Sequence, residues 1–230
     1  MPRFFPGNSE YSTQMSGMQR LSSEAYQTLT EGAEVIEKDH FGYKVLKLKD
    51  ETFLKLFRVK STISSAWLRP YSVRFARNAS ELIARGVQTV DIIGCYRLER
   101  YKNTAVHYRP LPGQTLRQVF PVLDEEETRS LAEQVAEYIA DLHERGVYFR
   151  SLHMGNILKL PDGTLGLIDI ADMRFSQRPL KEELRLRNLH HLARYERDVR
   201  YLIKDQTFCA TYAKLADVAV DKVAAVMHRS

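Results

Sequence analysis

The chain of 230 residues carries 34 basic and 29 acidic side chains, a net charge of +5, with 44% hydrophobic and 27% charged residues. That balance is an ordinary globular one and excludes disordered, collagenous and coiled-coil classes, while the length predicts one large domain or two small lobes. Charge-free stretches fall far short of the ~20 apolar residues that cross a bilayer, which excludes a transmembrane helix.

Residues 1–22 read as a flexible arm rich in Ser, Gly, Met and Gln, with little to bury. Met1 to Arg20 lacks the apolar run of a secretory signal, which predicts a cytoplasmic protein. From Ala33 to Phe57 the apolar residues alternate, and three short strands in an antiparallel meander follow, with turns at Asp39-His40-Phe41-Gly42 and Lys49-Asp50-Glu51. Tyr71 to Arg85 has helical spacing, with Phe75, Leu82 and Ile83 toward one side and Gly86 as the stop. Two more strands follow, Asp91–Leu98 and Ala105–Tyr108, around a polar turn at residues 101–104.

Pro110-Leu111-Pro112-Gly113 breaks the pattern and places a hinge there, dividing a β-rich lobe, 23–110, from a helical lobe, 111–230. Asp124 to Arg145 is an amphipathic helix with an acidic first turn and Leu131, Val135, Ile139 and Leu142 on one side. After Gly146 comes a loop with Asn156, then a Pro161-Asp162-Gly163 turn and the apolar run Leu165–Ile168 ending at Asp169. Helices with basic faces fill the remainder from Lys181.

Two cysteines, Cys95 and Cys209, are too few for a disulfide framework and predict reduced thiols. Charge is uneven: Lys55, Arg58, Lys60, Arg69, Arg74, Arg77 and Arg85 stand against Glu81 alone. Either that segment welcomes an anionic partner or it is a solvated helix face. It resembles no nucleic-acid module, and no nucleic-acid partner is expected. His190-His191 has no further ligand at metal spacing, and Trp67 reads as packing.

A long helix, a loop with an Asn, a hairpin and an apolar strand ending in Asp resemble the protein-kinase-like fold. In that pattern the catalytic loop reads H-R-D-x-x-x-x-N and a later D-F-G supplies a second metal ligand. Here the chain reads Phe149-Arg150-Ser151-x-x-x-x-Asn156, then Asp169-Ile170-Ala171. The wording Leu152-His153-Met154-Gly155-Asn156-Ile157-Leu158 is similar to small-molecule kinases. Within them it most resembles the lipopolysaccharide core kinases, which phosphorylate Kdo or heptose, and the bacterial toluene tolerance proteins. The resemblance covers roughly residues 34–172. It implies an α+β bilobal fold, with an antiparallel β-rich N-lobe and a mainly helical C-lobe.

It also implies ATP and Mg²⁺ as cofactors. Lys55 would reach the nucleotide phosphates, Glu81 would pair with Lys55, and Asn156 and Asp169 would hold the metal. Each also has a plainer reading: an outward strand Lys, an exposed helix Glu, a capping Asn, a turn Asp. Residues 109–116 resemble the hinge connector, with Thr115 as a helix N-cap. Two departures stand out: Ser151 occupies the position of the catalytic Asp, and no GxGxxG loop is present. His153 or Asp172 could substitute as base, and His153 could equally be structural. The expected activity is phosphotransfer to a lipopolysaccharide core sugar, with an anionic glycolipid intermediate as partner and peripheral contact at the inner face of the inner membrane. The alternative is a pseudokinase that senses nucleotide or serves as a scaffold in envelope biogenesis.

Overall fold

The computed structural model describes residues 18–58, 70–99 and 103–228. Lys60, Trp67, Arg69, Tyr101 and Lys102 lie outside them. The N-terminal part is a six-stranded sheet in the order β1-β6-β7-β4-β3-β2. Its strands are β1 Gln19–Leu21, β2 Glu34–Asp39, β3 Gly42–Lys47, β4 Phe53–Arg58, β6 Asp91–Leu98 and β7 Asn103–Arg109. β2, β3 and β4 form the expected antiparallel meander, with Leu46 opposite Leu54 on its buried face.

Three expectations need correction. The arm boundary at residue 22 falls too late, because Gln19–Leu21 pair in parallel with Tyr96–Leu98, and Ser22 caps α1, Ser23–Thr30, by accepting from Ala25 N at 3.1 Å. Asn103 and Thr104 belong to β7 and not to a turn, since the ladder with β4 runs to Asn103 opposite Arg58. Ile83 is exposed, because the helix α2, Tyr71–Ala84, faces inward along Phe75, Ala79 and Leu82, and residue 83 lies ~100° around from 82.

α2 stops where foreseen. Gly86 takes φ +70°, donating to Ile83 O at 2.9 Å while Val87 N reaches Leu82 O at 2.9 Å. The helix packs on β6 and β7, and its buried side chains belong to the large core that runs through the C-terminal part. β5, Gln88–Thr89, leaves the first sheet and pairs in parallel with β11, Leu165–Leu167. β11 in turn pairs with β10, Ile157–Lys159, which takes β8, Gln114–Thr115, at its other edge. The two parts are therefore stitched together by backbone pairing as well as by the connector at 110–113.

After α3, Leu116–Val119, and a 3₁₀ turn at Phe120–Val122 comes the 20-residue helix α4, Glu125–Glu144. Asp124 and Glu127 close a reciprocal capping box at its start, and Leu131, Val135, Ile139 and Leu142 are all buried. β9, Val147–Phe149, pairs with β12, Met173–Phe175. The helices α5 Glu182–Leu192, α6 Glu196–Ile203, α7 Thr207–Ala216 and α8 Val220–Met227 complete the described chain. None of its helices is long and apolar enough to cross a membrane.

Candidate functional site

Lys55 lies in β4, between Val45 of β3 and Val106 of β7. Its side chain turns inward, with Nζ 5.9 Å from the Phe57 ring centroid and 5.7 Å from that of Phe75. There it donates to Asp169 Oδ1 at 2.5 Å, a contact between residues 114 apart in sequence. Asp169 follows β11 with φ +53°, a left-handed conformation that a short carboxylate side chain tolerates better than most. Half of its side-chain surface stays open to solvent, against 16% for Lys55. An ammonium and a carboxylate thus meet at the seam of the two parts.

Asn156 sits beneath them. Its Nδ2 donates to Ser151 O at 2.9 Å, and its own carbonyl accepts from Ile168 N at 3.0 Å, so Asn156 ties the loop bearing Ser151 to the segment entering Asp169. With Nδ2 engaged, the amide oxygen is the side chain's remaining group. Two hard oxygens, from Asn156 and Asp169, suit Mg²⁺, which binds through one or two protein oxygens and completes its shell with water and phosphates.

The loop is held from below by residues that its sequence did not single out. Asn188 of α5 accepts from Phe149 N at 3.2 Å and donates to Phe149 O at 2.6 Å, clamping the residue before Arg150 through its backbone. Asn188 Oδ1 also faces His143 Nε2 at 3.1 Å, and His143 Nδ1 meets Tyr212 OH at 2.7 Å. Oδ1 can only accept, so the His143 proton lies on Nε2 and Tyr212 donates to Nδ1. Burial pushes the imidazole down to about 3, which keeps it neutral. On another side Arg117, at the start of α3, grips the buried Asp198 of α6 with Nε at 3.0 and 3.1 Å and Nη2 at 2.5 Å. Its guanidinium also lies against Gly155, where a Cβ would approach Nη1 to 3.0 Å.

Ser151 and the two candidate bases, His153 and Asp172, differ in their surroundings. Ser151 takes the position expected of a catalytic carboxylate and supplies its carbonyl to Asn156. His153 Nδ1 accepts from Gly155 N at 3.1 Å, which leaves the proton on Nε2, and its ring stands edge-on to Tyr195 at 5.4 Å. Burial, then the nearby Arg117, push its pKa down, so the ring is neutral with its lone pair already in use. Of its two readings the geometry favours the structural one. Asp172 is held between Arg74 Nη2 at 3.1 Å and Arg150 Nη1 at 3.6 Å, bridging α2 to the loop bearing Ser151.

Glu81 does not reach Lys55. It pairs with Arg85, one turn onward in α2, and loosely with Arg77 at 3.9 Å. The side of α2 toward the site presents Arg74, Phe75 and Asn78 instead, and Asn78 Nδ2 donates to Ile170 O at 2.6 Å. The basic residues of the 55–85 stretch that the structure describes each have a carboxylate within reach. Lys55, Arg58, Arg74, Arg77 and Arg85 all sit in internal ion pairs, with Asp169, Asp39, Asp172 and Glu81.

At the β2–β3 turn, Asp39 Oδ1 accepts from Phe41 N at 2.8 Å and from Arg58 Nη2 at 3.1 Å, while the Arg58 guanidinium lies 4.7 Å from the Phe41 ring centroid. The tip is thus stapled to β4 where a glycine-rich loop would be free to cover phosphates. No group of three His, Cys, Asp or Glu among the described residues is placed to hold a metal, and His191 spends Nε2 on Tyr148 OH at 3.1 Å. A hollow of about 390 Å³ lies apart from the site, between the 3₁₀ turn, α4 and α6, beside the Lys204–Glu125 pair.

The order of parts, a mainly antiparallel sheet, a helix packed on it, a connector and a helical part whose first long helix precedes the loop bearing Ser151, is the mixed α+β arrangement, β-rich first and helical second, that the motifs led one to expect. No family model matches the chain, and no curated protein matches it. Among solved structures it is similar to one described as a divergent kinase lacking the glycine-rich loop, which regulates membrane ultrastructure of the Toxoplasma parasitophorous vacuole. The two share 18% identity over 79% of this chain and 69% of that one, with a TM-score of 0.48.

Proposed function

We propose that the seam at Lys55, Asn156 and Asp169 is an ATP site of the kinase type, and that the protein transfers phosphate slowly to a sugar hydroxyl. The observation that carries this is the Lys55–Asp169 contact, in which a strand lysine and the carboxylate closing an apolar strand converge across 114 residues. Asn156 and Asp169 would hold Mg²⁺, which when bound neutralises phosphate charge. Lys55, released from Asp169, would face the phosphates. Phosphoryl transfer rests mainly on positioning and charge, so a serine at 151 weakens it, by ~10²–10⁴-fold for a lost general base, without removing nucleotide binding. A lipopolysaccharide core sugar is the acceptor that the wording of residues 152–158 favours, and an anionic glycolipid at the inner membrane surface is the partner that goes with it.

The second reading, a pseudokinase acting as nucleotide sensor or scaffold, is favoured by Ser151 together with the engaged His153. Thermal unfolding with ATP, with and without Mg²⁺, separates the cases, because a ligand that binds only the folded state stabilises it by mass action. A Mg²⁺-dependent rise that Asp169→Ala abolishes is expected on either reading, and phosphate release to a core sugar then distinguishes them. No response at millimolar ATP would remove the nucleotide site itself.

A further inference from the structure

Two groups of basic residues stand in contrast. Those of the described 55–85 stretch are consumed by internal ion pairs, whereas Arg174, Arg187 and Arg194 have no ion pair among the described residues. These last gather in one place. Arg187, His190, His191 and Arg194 follow the i, i+3, i+4, i+7 spacing of a single helix face on α5 and the turn that caps it. The opposite side, Asn188, Leu189 and Leu192, is buried. Arg194 Nη2 lies 3.4 Å from His191 Nδ1, and His191 Nε2 meets Tyr148 OH of β9 at 3.1 Å. Arg174 stands directly across the ladder from Tyr148, so its side chain leaves the sheet on the same face. Arg150 follows β9 immediately. Burial first, then the fields of Arg194, His190, Arg187 and Arg150, push the His191 pKa down, in keeping with these groups lying around one ring.

Arg150 has Asp172 at 3.6 Å, but no ion pair engages Arg174, Arg187 or Arg194 among the described residues; such cations repel one another, and a dianion relieves that repulsion. Guanidinium groups match phosphate oxygens in geometry as well as charge. The face also adjoins the loop bearing Ser151: His191 meets Tyr148 of β9, and Arg150 and Ser151 follow that strand directly.

We propose that Arg174, Arg187, His190 and Arg194, with His191 positioning Arg194 and Arg150 at the edge, bind the phosphate of a phosphorylated sugar, holding an acceptor already bearing one phosphate beside Ser151. This rests on the kinase reading above and adds a substrate class to it. The patch recognises the sugar phosphate itself and not the apolar part of a lipid, because Leu184 and Tyr195 are the only exposed large apolar side chains between residues 174 and 197.

The test is an NMR titration of the full chain, without nucleotide, using glucose 1-phosphate, glucose and inorganic phosphate, on the wild type and on an Arg187→Gln/Arg194→Gln double variant. Both positions are exposed, and an unchanged unfolding midpoint verifies that the variant folds. Guanidinium signals of Arg174, Arg187 and Arg194 are expected to respond to glucose 1-phosphate and not to glucose, with affinity falling roughly tenfold or more in the variant, as for loss of charged hydrogen bonds. Equal affinity in wild type and variant, or equal binding of inorganic phosphate and glucose 1-phosphate, overturns the proposal. So does capture by phosphatidic acid vesicles, or by an oligonucleotide, without a response to the sugar phosphate. The ATP response with Mg²⁺ is expected to survive in the double variant. Its loss in Asp169→Ala bears on the nucleotide site alone, so the two readings fail separately.

Discussion

The two partners of the Lys55–Asp169 pair stand on differently built ground. β2 is exposed at every residue, and the first sheet's own core is the cluster Leu46, Leu48, Leu54, Leu98 and Ala105. β9 and β11 are buried at every residue, and the core beneath them reaches from Phe75 to Met227. Lys55 therefore rides on the thin layer while Asp169 is fixed to the thick one, and α2 belongs energetically to the latter. Regions with few buried apolar contacts open at lower free energy, so relative motion at the seam is expected to come from β2–β4 moving over a stationary loop.

The largest expected effect sharpens the thick side of that contrast. Arg117→Ala leaves the Asp198 carboxylate, 2% exposed, with only the distant Arg197 at 3.7 Å, and is expected to cost about 3–5 kcal/mol in denaturant unfolding. Next come two matched truncations. Ile139→Ala and Leu54→Ala each remove a fully buried side chain, for ~2–5 kcal/mol locally. Hydrogen exchange should rise across the whole chain for Ile139→Ala, but only in β2–β4 and their neighbours for Leu54→Ala. A chain-wide rise in both would break the comparison.

Acid provides a third handle. His143 is depressed to about 3 when folded against 6.5 when free, so between these values the unfolded chain binds the proton and the folded chain does not. Its contribution is complete above pH 6.5 and is lost as pH falls toward 3. His107, His153 and His191 are also depressed, chiefly by burial, and act in the same direction. His143→Gln should make the acid limb of a stability–pH curve shallower without flattening it. The smallest expected change is that of Asp169→Ala, whose partly exposed ion pair is worth ~0–1 kcal/mol, so its melting point should barely move while its ATP response disappears.

What the sequence disclosed follows from the range of the forces involved. The meander, α2 and α4 are written in alternation, a 3.6 period, Gly86 and the Asp124 capping box, all short-range signals. Lys55, Asn156 and Asp169 were legible because their spacing follows a known pattern. The Asn188 clamp on Phe149 and the Arg117–Asp198 grip join residues 39 and 81 positions apart, and no local pattern marks a helix Asn as a backbone anchor. Glu81 misled for the opposite reason: it was the only acid in reach along the chain, yet Arg85, one turn away, was closer to hand. The carboxylates that meet the cations of the 55–85 stretch were hidden likewise, since composition counts cations without showing which carboxylates fold onto them.

The three residues of β1 also bear on how the protein is handled. By pairing with Tyr96–Leu98 they occupy one border of the sheet with a short strand whose Gln19 and Arg20 face solvent. A version trimmed at residue 22 would bare the edge of β6 at Tyr96–Leu98, an invitation to pair with another molecule. Such a truncation should elute as concentration-dependent multimers in gel filtration, and a tag or protease site in this stretch would carry the same hazard.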